Sequence, residues 1–457
     1  MSLSSALNVA LSGLQTSTAQ LQLTSDNISN ANTPGYTEQS ANLSSTAEGN
    51  VEIASYTNAS DKILTQSLNA ATASASYYSA QNGYMTQVQS ILGSTSSNPP
   101  LSSAIAQFQA AWTQLQTSPE DATVQAAVVD AGTNLAQQIN SISGQVITLQ
   151  AQVVSDTQST VNELNTDLAN IATLNGQIVT ATSQNQPTGA LEDERNAAIN
   201  QIASITNVSV FQRNEGQIAL YTPDGVALVD GNPQTFSYNS TTGVITNSGG
   251  INVTSDLSGG SLQAQLQFNA TATTPSSTPG VNTIQKLQNQ INDLISAFTT
   301  NSAGPPATFA NAYNPNNTAG DDFFTNTSGF AVNSTLVSDP TTLSNLTSDE
   351  VNNTANSFAS TYNFTDTGAG LSLNSGTTTN LVTTILSGFQ QAANTISTQS
   401  QSATQQQKYY QQSLTNATGV NVDSELVNLT TLQNSYAASA HVISTISEMF
   451  NDLMATI

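Results

Sequence analysis

Residues 118–178 read SPEDATVQAAVVDAGTNLAQQINSISGQVITLQAQVVSDTQSTVNELNTDLANIATLNGQI. The opening Ser118-Pro119-Glu120-Asp121 is a helix start, with serine as cap, proline at the first helical position and acids in the first turn. An apolar stripe follows through Leu135, Ile139, Ile142, Val146, Leu149, Val153, Val161, Leu164, Leu168, Ile171, Leu174 and Ile178. Its steps of three and four are those of one helix face. At about 1.5 Å per residue this predicts a rod on the order of 80 Å long. Such a helix must bury one face along its whole length, and periodic stretches near 61–92, 101–117, 282–299 and 379–416 are its candidate neighbours. The expected body is an elongated helical bundle.

Downstream the period changes to two. Val208, Val210, Ile218, Leu220, Val226, Leu228, Phe236, Tyr238, Val244 and Ile245 alternate with polar residues, separated by the turn signals TPDG (222–225), DGNP (230–233) and TTG (241–243). This predicts a small inserted antiparallel β unit over 208–268. Residues 301–322, carrying Gly304, Pro305, Pro306, Pro315 and Gly320, read as a loop.

Both ends read as amphipathic helix. At the start, Leu7, Leu11, Leu14, Leu21 and Ile28 form a seam about three heptads long, with Thr18 and Ser25 in the intervening positions. At the other end the stripe runs through Val422, Leu426, Leu429, Tyr436, Ala440, Ile443, Phe450, Met454 and Ile457, after a stop at Gly419 and a cap at Asn421 or Asp423. Helices so rich in Ser, Thr and Asn have poor intrinsic propensity, so isolated ends are expected to fray and to order on association. The expected fold is mainly α with a smaller β part, in discontinuous domains. Residues 1–45 with 418–457 form a terminal coiled coil, 46–207 with 269–417 the bundle, and 208–268 the β unit.

Composition narrows the function. Among 457 residues there is no cysteine, one histidine, and five basic residues against 29 acidic ones, for a net charge of −24. Thiol catalysis, Cys-ligated metal and disulfides are excluded. No cationic patch exists to meet nucleic acid or anionic lipid. No run approaches the roughly eighteen apolar residues of a membrane span. The first residues, MSLSSALNVALSGLQ, lack the basic cluster and apolar core of a cleavable secretory signal, so export by another route is expected. Charged residues make up only 7% of the chain, leaving an uncharged polar surface.

At 27–39 the chain reads NISNANTPGYTEQ. Asn30 and Asn32 suit a helix end, Pro34 and Gly35 the centre of a type II turn after Thr33, and Tyr36 packs the turn back on the helix. This stretch resembles the rod, hook and hook-associated family of flagellar axial proteins, and GVNVDSELVNLTTLQNSYAASAHVISTISEMFNDLMATI at 419–457 resembles that family's terminal helix. LEDERNAAINQIASITNVSV at 191–210 and FFTNTSGFAVN at 323–333 resemble the interior of its hook–filament junction members. Glu38 departs from the arginine usual before that glutamine. Residues 301–322 sit where longer relatives carry an outer β domain, here expected to be reduced or missing.

The resemblance implies a non-enzymatic, cofactor-free subunit of the extracellular flagellum that self-assembles into a ring or helical array. Its implied partners are its own copies, the hook protein, a second junction protein (hook-associated protein 3), and an export chaperone on the carboxy-terminal helix. The assembly interface is expected at Leu7, Leu11, Leu14, Leu21, Ile28, Leu426, Leu429, Tyr436, Ile443, Phe450 and Met454. Another axial subunit of the hook or distal rod, a secreted adhesin and a surface-polymer hydrolase are the alternatives.

Chemistry-bearing residues are few. His441 lies beside the carboxy-terminal seam and reads as a surface or interface side chain, having no second histidine to share a metal. Glu192, Asp193 and Glu194 with Arg195 read as an acidic first helical turn before an acid/base pair or metal site. Asp321 and Asp322 match no calcium loop. Gly259 with Gly260 is a turn with no following lysine to hold a phosphate.

Overall fold

The computed structural model describes residues 3–47, 49–93, 99–271, 278–299, 309–313, 322–326, 329–363 and 375–455. The first elements are α1 (Leu3–Asn30), the hairpin of β1 (Gln39–Ser45) and β2 (Val51–Asn58), α2 (Lys62–Leu92) and α3 (Pro100–Thr117). The long helix α4 (Ala122–Ser183) and α5 (Gly189–Ile205) follow. Then come β3 (Ser209–Gln212), β4 (Ile218–Tyr221), β5 (Ala227–Asp230), β6 (Asn232–Pro233), β7 (Phe236–Asn239) and β8 (Val244–Asn247). The chain continues with α6 (Gly260–Phe268), α7 (Thr283–Thr299), α8 (Phe309–Ala312), β9 (Phe324–Thr325) and β10 (Ala331–Val332). It finishes with α9 (Ser334–Ser338), α10 (Ser348–Ser357), β11 (Tyr362–Asn363), β12 (Ser375–Gly376), α11 (Thr378–Thr418) and α12 (Val422–Ala455).

Helix α4 spans 62 residues, roughly 90 Å at the standard rise. Its cap is Asp121, whose carboxylate accepts the Thr123 N–H at 2.8 Å. Ser118 instead closes a preceding turn, its carbonyl accepting the Asp121 N–H, which corrects the expected start by one turn. The whole stripe from Leu135 to Ile178 is buried. Helices α2, α3, α5, α6 and α7 pack along it, while α11 lies chiefly on α2. The expected neighbours are thus present as helices.

Two cores divide the rod. The first surrounds the amino-terminal half of α4 with α3, α7, α10 and the start of α11. At its centre Phe108 touches the rings of Trp112, Phe298, Phe309, Phe323, Phe324 and Phe358, with centroids 5.4–6.3 Å apart. These rings need a gap in α4, and Gly132 supplies it: a Cβ there would lie 2.6 Å from Phe323 Cε1 and 3.2 Å from Phe108 Cε2. Gly132→Ala should gain about 1 kcal/mol of helix propensity and lose about 1–3 kcal/mol to overpacking against rigid rings. We expect net destabilisation of about 1 kcal/mol, read as a lower urea midpoint with unchanged m. Ala at the open Gly144 should raise the midpoint instead.

The second core joins the carboxy-terminal half of α4 to α5, α6 and the β unit. Strands β3-β4-β5-β6 form one antiparallel sheet and β7-β8 a second. Gly225, Gly231 and Gly243 turn the chain with positive φ at the three predicted breaks. One boundary is corrected: residues 260–268, expected within the β unit, are helix α6, whose nine residues fold Leu262, Ala264 and Phe268 into the cores. Hairpin β1–β2 was likewise not expected. It crosses the 45/46 boundary, so the strands on both sides form one unit with α1, where Ser12 Oγ accepts the Val51 N–H. Of the loop 301–322, only residues 309–313 and 322 fall among the described residues, and 309–312 are helix α8.

Candidate assembly interface

Helices α1 and α12 pack against each other, and α12 packs chiefly there. The pair is antiparallel: Asn27 Nδ2 donates to Glu425 Oε1 at 3.0 Å, and fourteen residues away a Cβ at Gly13 would meet Ser439 Oγ at 3.3 Å. On α1 the buried side chains are Ala10, Thr16, Ser17, Leu23, Thr24 and Asn27. This is a different face from the predicted seam. Small residues every seventh position (Ala10, Ser17, Thr24) let the backbones approach, and the predicted seam falls at the margin of the contact, with Leu11 facing outward.

The predicted interface residues therefore sit as follows. On α1, Leu11 is exposed, and Leu7, Leu14, Leu21 and Ile28 are half-buried. On α12, Leu429 and Ile443 are half-buried toward α1, whereas Leu426, Tyr436, Phe450 and Met454 are exposed, Met454 at 72%. Ile457 lies outside the described residues. Met449 and Leu453, which the sequence periodicity places at the widened edge of the stripe, are also exposed on α12, as are Val427 and Val442, which periodicity did not single out. The two-helix unit thus presents more large apolar side chains to solvent than it buries, and only Glu425 and Ile446 of α12 are fully buried. Outward apolar area of this kind is a candidate interaction surface.

The motif turn anchors this pair. Asn30 Nδ2 returns to the Asp26 carbonyl, and the Thr33 N–H donates to the Asn30 carbonyl. Tyr36 N–H donates to Thr33 O across Pro34 and Gly35, with Gly35 at φ +82°, as a type II turn requires. Asn32, Thr33, Pro34 and Gly35 are exposed. Tyr36 Oη donates to Asn27 Oδ1 at 2.8 Å, which ties the turn to the helix. Burial first, then the carboxylates of Asp26, Asp193 and Glu425, push the Tyr36 phenol up to about 12, so it remains a donor at neutral pH.

The turn also meets the body. Asp193 accepts both the Thr37 N–H (3.0 Å) and the Thr37 hydroxyl (2.7 Å), while burial raises its pKa against those bonds. Asn58 donates to Thr37 Oγ1 and to the Gly189 carbonyl, and a Cβ on Gly189 would overlap Gln39. Glu38 N–H donates to the Thr418 carbonyl at the end of α11. The acidic run at 192–195 is therefore dispersed. Glu192 accepts from Thr188, Asp193 holds the turn, Glu194 is exposed, and buried Arg195 donates to Asn175 Oδ1 and the Gly216 carbonyl. Burial lowers the Arg195 pKa, Glu192 opposing.

His441 is exposed, and Asp321 lies outside the described residues. Among the described residues no group of three or more His, Cys, Asp or Glu side chains is placed to hold a metal ion. Among them too, no helix is long and apolar enough to cross a membrane.

Comparison with known proteins finds matches at both ends and in the middle of the chain. A family described as flagella basal body rod protein matches residues 7–37, and one described as flagellar basal body rod FlgEFG protein C-terminal matches 411–456. Both ends of the chain are thus those of a flagellar axial protein. The family described as flagellar hook-associated protein FlgK helical domain matches residues 85–324, more than half of the chain. The chain belongs to this FlgK family of flagellar hook-associated proteins. Among solved structures it is similar to the flagellar hook junction protein FlgK from Burkholderia pseudomallei, at 23% identity and a TM-score of 0.43. That match covers 51% of this chain and spans 42% of the other. No curated protein matches by sequence.

Proposed function

We propose that this chain is a structural, non-enzymatic subunit of the junction between flagellar hook and filament. In this reading the outward apolar stripes of α1 and α12 pack against neighbouring copies, and the helical body and β unit stand outside them as a mechanical collar. The observation that carries it is the exposed run Leu11, Leu426, Tyr436, Met449, Phe450, Leu453 and Met454 on one two-helix unit. A stripe of this size has its natural partner in an identical stripe on a symmetry-related subunit. The hook protein would adjoin the ring on one side and the second junction protein on the other. A dedicated chaperone would cover α12 before export to the cell exterior.

Electron microscopy of cells lacking the gene tests the assignment. Intact hooks without filaments are expected. Loss of the hooks themselves would reassign the chain to the hook or distal rod.

A further inference from the structure

The small-residue seam between α1 and α12 has no intrinsic register. Ala10, Ser17 and Thr24 repeat every seven residues, and on α12 Glu425, Leu432, Ser439 and Ile446 repeat at the same interval. Sliding one helix by a heptad, about 10 Å, would keep the same small-residue face of α1 in contact. The α1 side chains Ala10, Ser17 and Thr24 do not by themselves distinguish such alignments.

One side chain does discriminate. Asn27 is 1% exposed and all four of its hydrogen-bonding positions are filled. Nδ2 donates to Glu425 Oε1 (3.0 Å) and to the Gln39 carbonyl (2.8 Å). Oδ1 accepts from Tyr36 Oη (2.8 Å) and from the Gln39 N–H (3.1 Å). Glu425 is itself 4% exposed, in the first turn of α12, and Oε2 has no hydrogen-bond partner. Moving α12 by one heptad would set Asn27 against Leu432, breaking the Asn27–Glu425 bond and leaving one Nδ2 proton of Asn27 buried without an acceptor. Buried polar groups left that way are strongly disfavoured, and a single buried asparagine is known to fix helix register on this ground.

We infer that Asn27 is the register-setting residue of the terminal helix pair: through Glu425 it selects one alignment of α12 on α1, and through Tyr36 and Gln39 it locks that alignment to the motif turn. The consequence for assembly rests on the reading proposed above. A slip would displace the α12 stripe by about 10 Å along Leu11, Leu14 and Leu21, so subunits in different registers could not share one lattice.

The chain has no cysteine, so engineered disulfides report register in the full-length monomer. Gly13→Cys with Ser439→Cys reads the observed alignment, since the added Cβ falls within disulfide reach. Gly13→Cys with Ile446→Cys reads the alignment that pairs position 27 with Leu432. On oxidation, the first pair should close and the second should not. Adding Asn27→Leu should lower the 13–439 yield at least tenfold relative to 13–446. Glu425→Gln keeps the acceptor and should preserve 13–439.

Unchanged 13–439 closure in the Asn27→Leu background would overturn the inference. So would loss of both cross-links, because Asn27 would then hold the helices together without choosing between registers. Correct register in a variant that cannot assemble would instead count against the assembly reading alone.

Discussion

Leu426→Asp, Met449→Asp and Leu453→Asp together should abolish assembly while the monomer still folds. The three side chains are between 48% and 56% exposed, so the isolated subunit loses little packing. Its main cost is helix propensity, about 0.5 kcal/mol per site, confined to α12. Between subunits the cost is far larger. Fully burying a Leu or Met side chain contributes about 1.5–3 kcal/mol, and half of that area is still to be buried here, giving roughly 2–4 kcal/mol per subunit for the three. Three added carboxylates would also have to be desolvated without partners, at several kcal/mol each. At 1.4 kcal/mol per factor of ten, association should weaken by well over a thousandfold. Sedimentation and electron microscopy of the purified protein read this directly. A control with aspartate at the exposed polar positions Gln433, Asn434 and Ser444 adds the same charge, and should retain more association than the apolar triple. If the apolar triple assembles normally, subunits meet through another surface.

How much of this was legible beforehand depends on which physical signal each element carries. The rod was readable because Leu135 to Ile178 buries one continuous face, and a long stripe at helical period has no other reading. The β strands at 209–247 were readable because Gly225, Gly231 and Gly243 punctuate the alternation. Hairpin β1–β2 was not. Its sequences QSANLSS and VEIASYTN bury no residue fully, and apolar pairs such as Leu43 with Ile53 stand among polar ones such as Ser40 with Thr57, so the alternation is weak. Helix α6 was hidden because nine residues give barely two turns of periodicity inside a β-rich window.

The terminal helices show a different limit. Hydrophobic periodicity located the large side chains on α1 but could not say what covers them. The contact within the chain is made by Ala10, Ser17, Thr24 and Asn27, which an apolar count passes over. Asn27 carries no apolar signal and stands first in the stretch NISNANTPGYTEQ. The available signal was a polar side chain on the face that Ala10, Ser17 and Thr24 set, since Asn27 lies three residues beyond Thr24 on that face.

Phe108→Ala should be among the most destabilising single substitutions in the body, and Phe211→Ala should be nearly silent, although both remove one aromatic ring. Phe108 is fully buried and is the shared neighbour of six aromatic side chains contributed by α3, α7, α8, the residue that follows α10 and the segment around β9. Of these, α3 and α7 also pack on α4 and α11, which limits how far they can close on the space left behind. A cost of about 3–5 kcal/mol is expected for a buried phenylalanine. At about 2–4 °C per kcal/mol for a domain of this size, the first thermal transition should fall on the order of 10 °C. Phe211 is 54% exposed, and its ring meets that of Tyr221 edge-to-face at 5.7 Å between centroids. Its loss should cost under about 1 kcal/mol. Calorimetry of the two variants side by side separates a core built around Phe108 from one in which the rings are interchangeable. Equal shifts in the two would show that the helical body does not depend on this cluster.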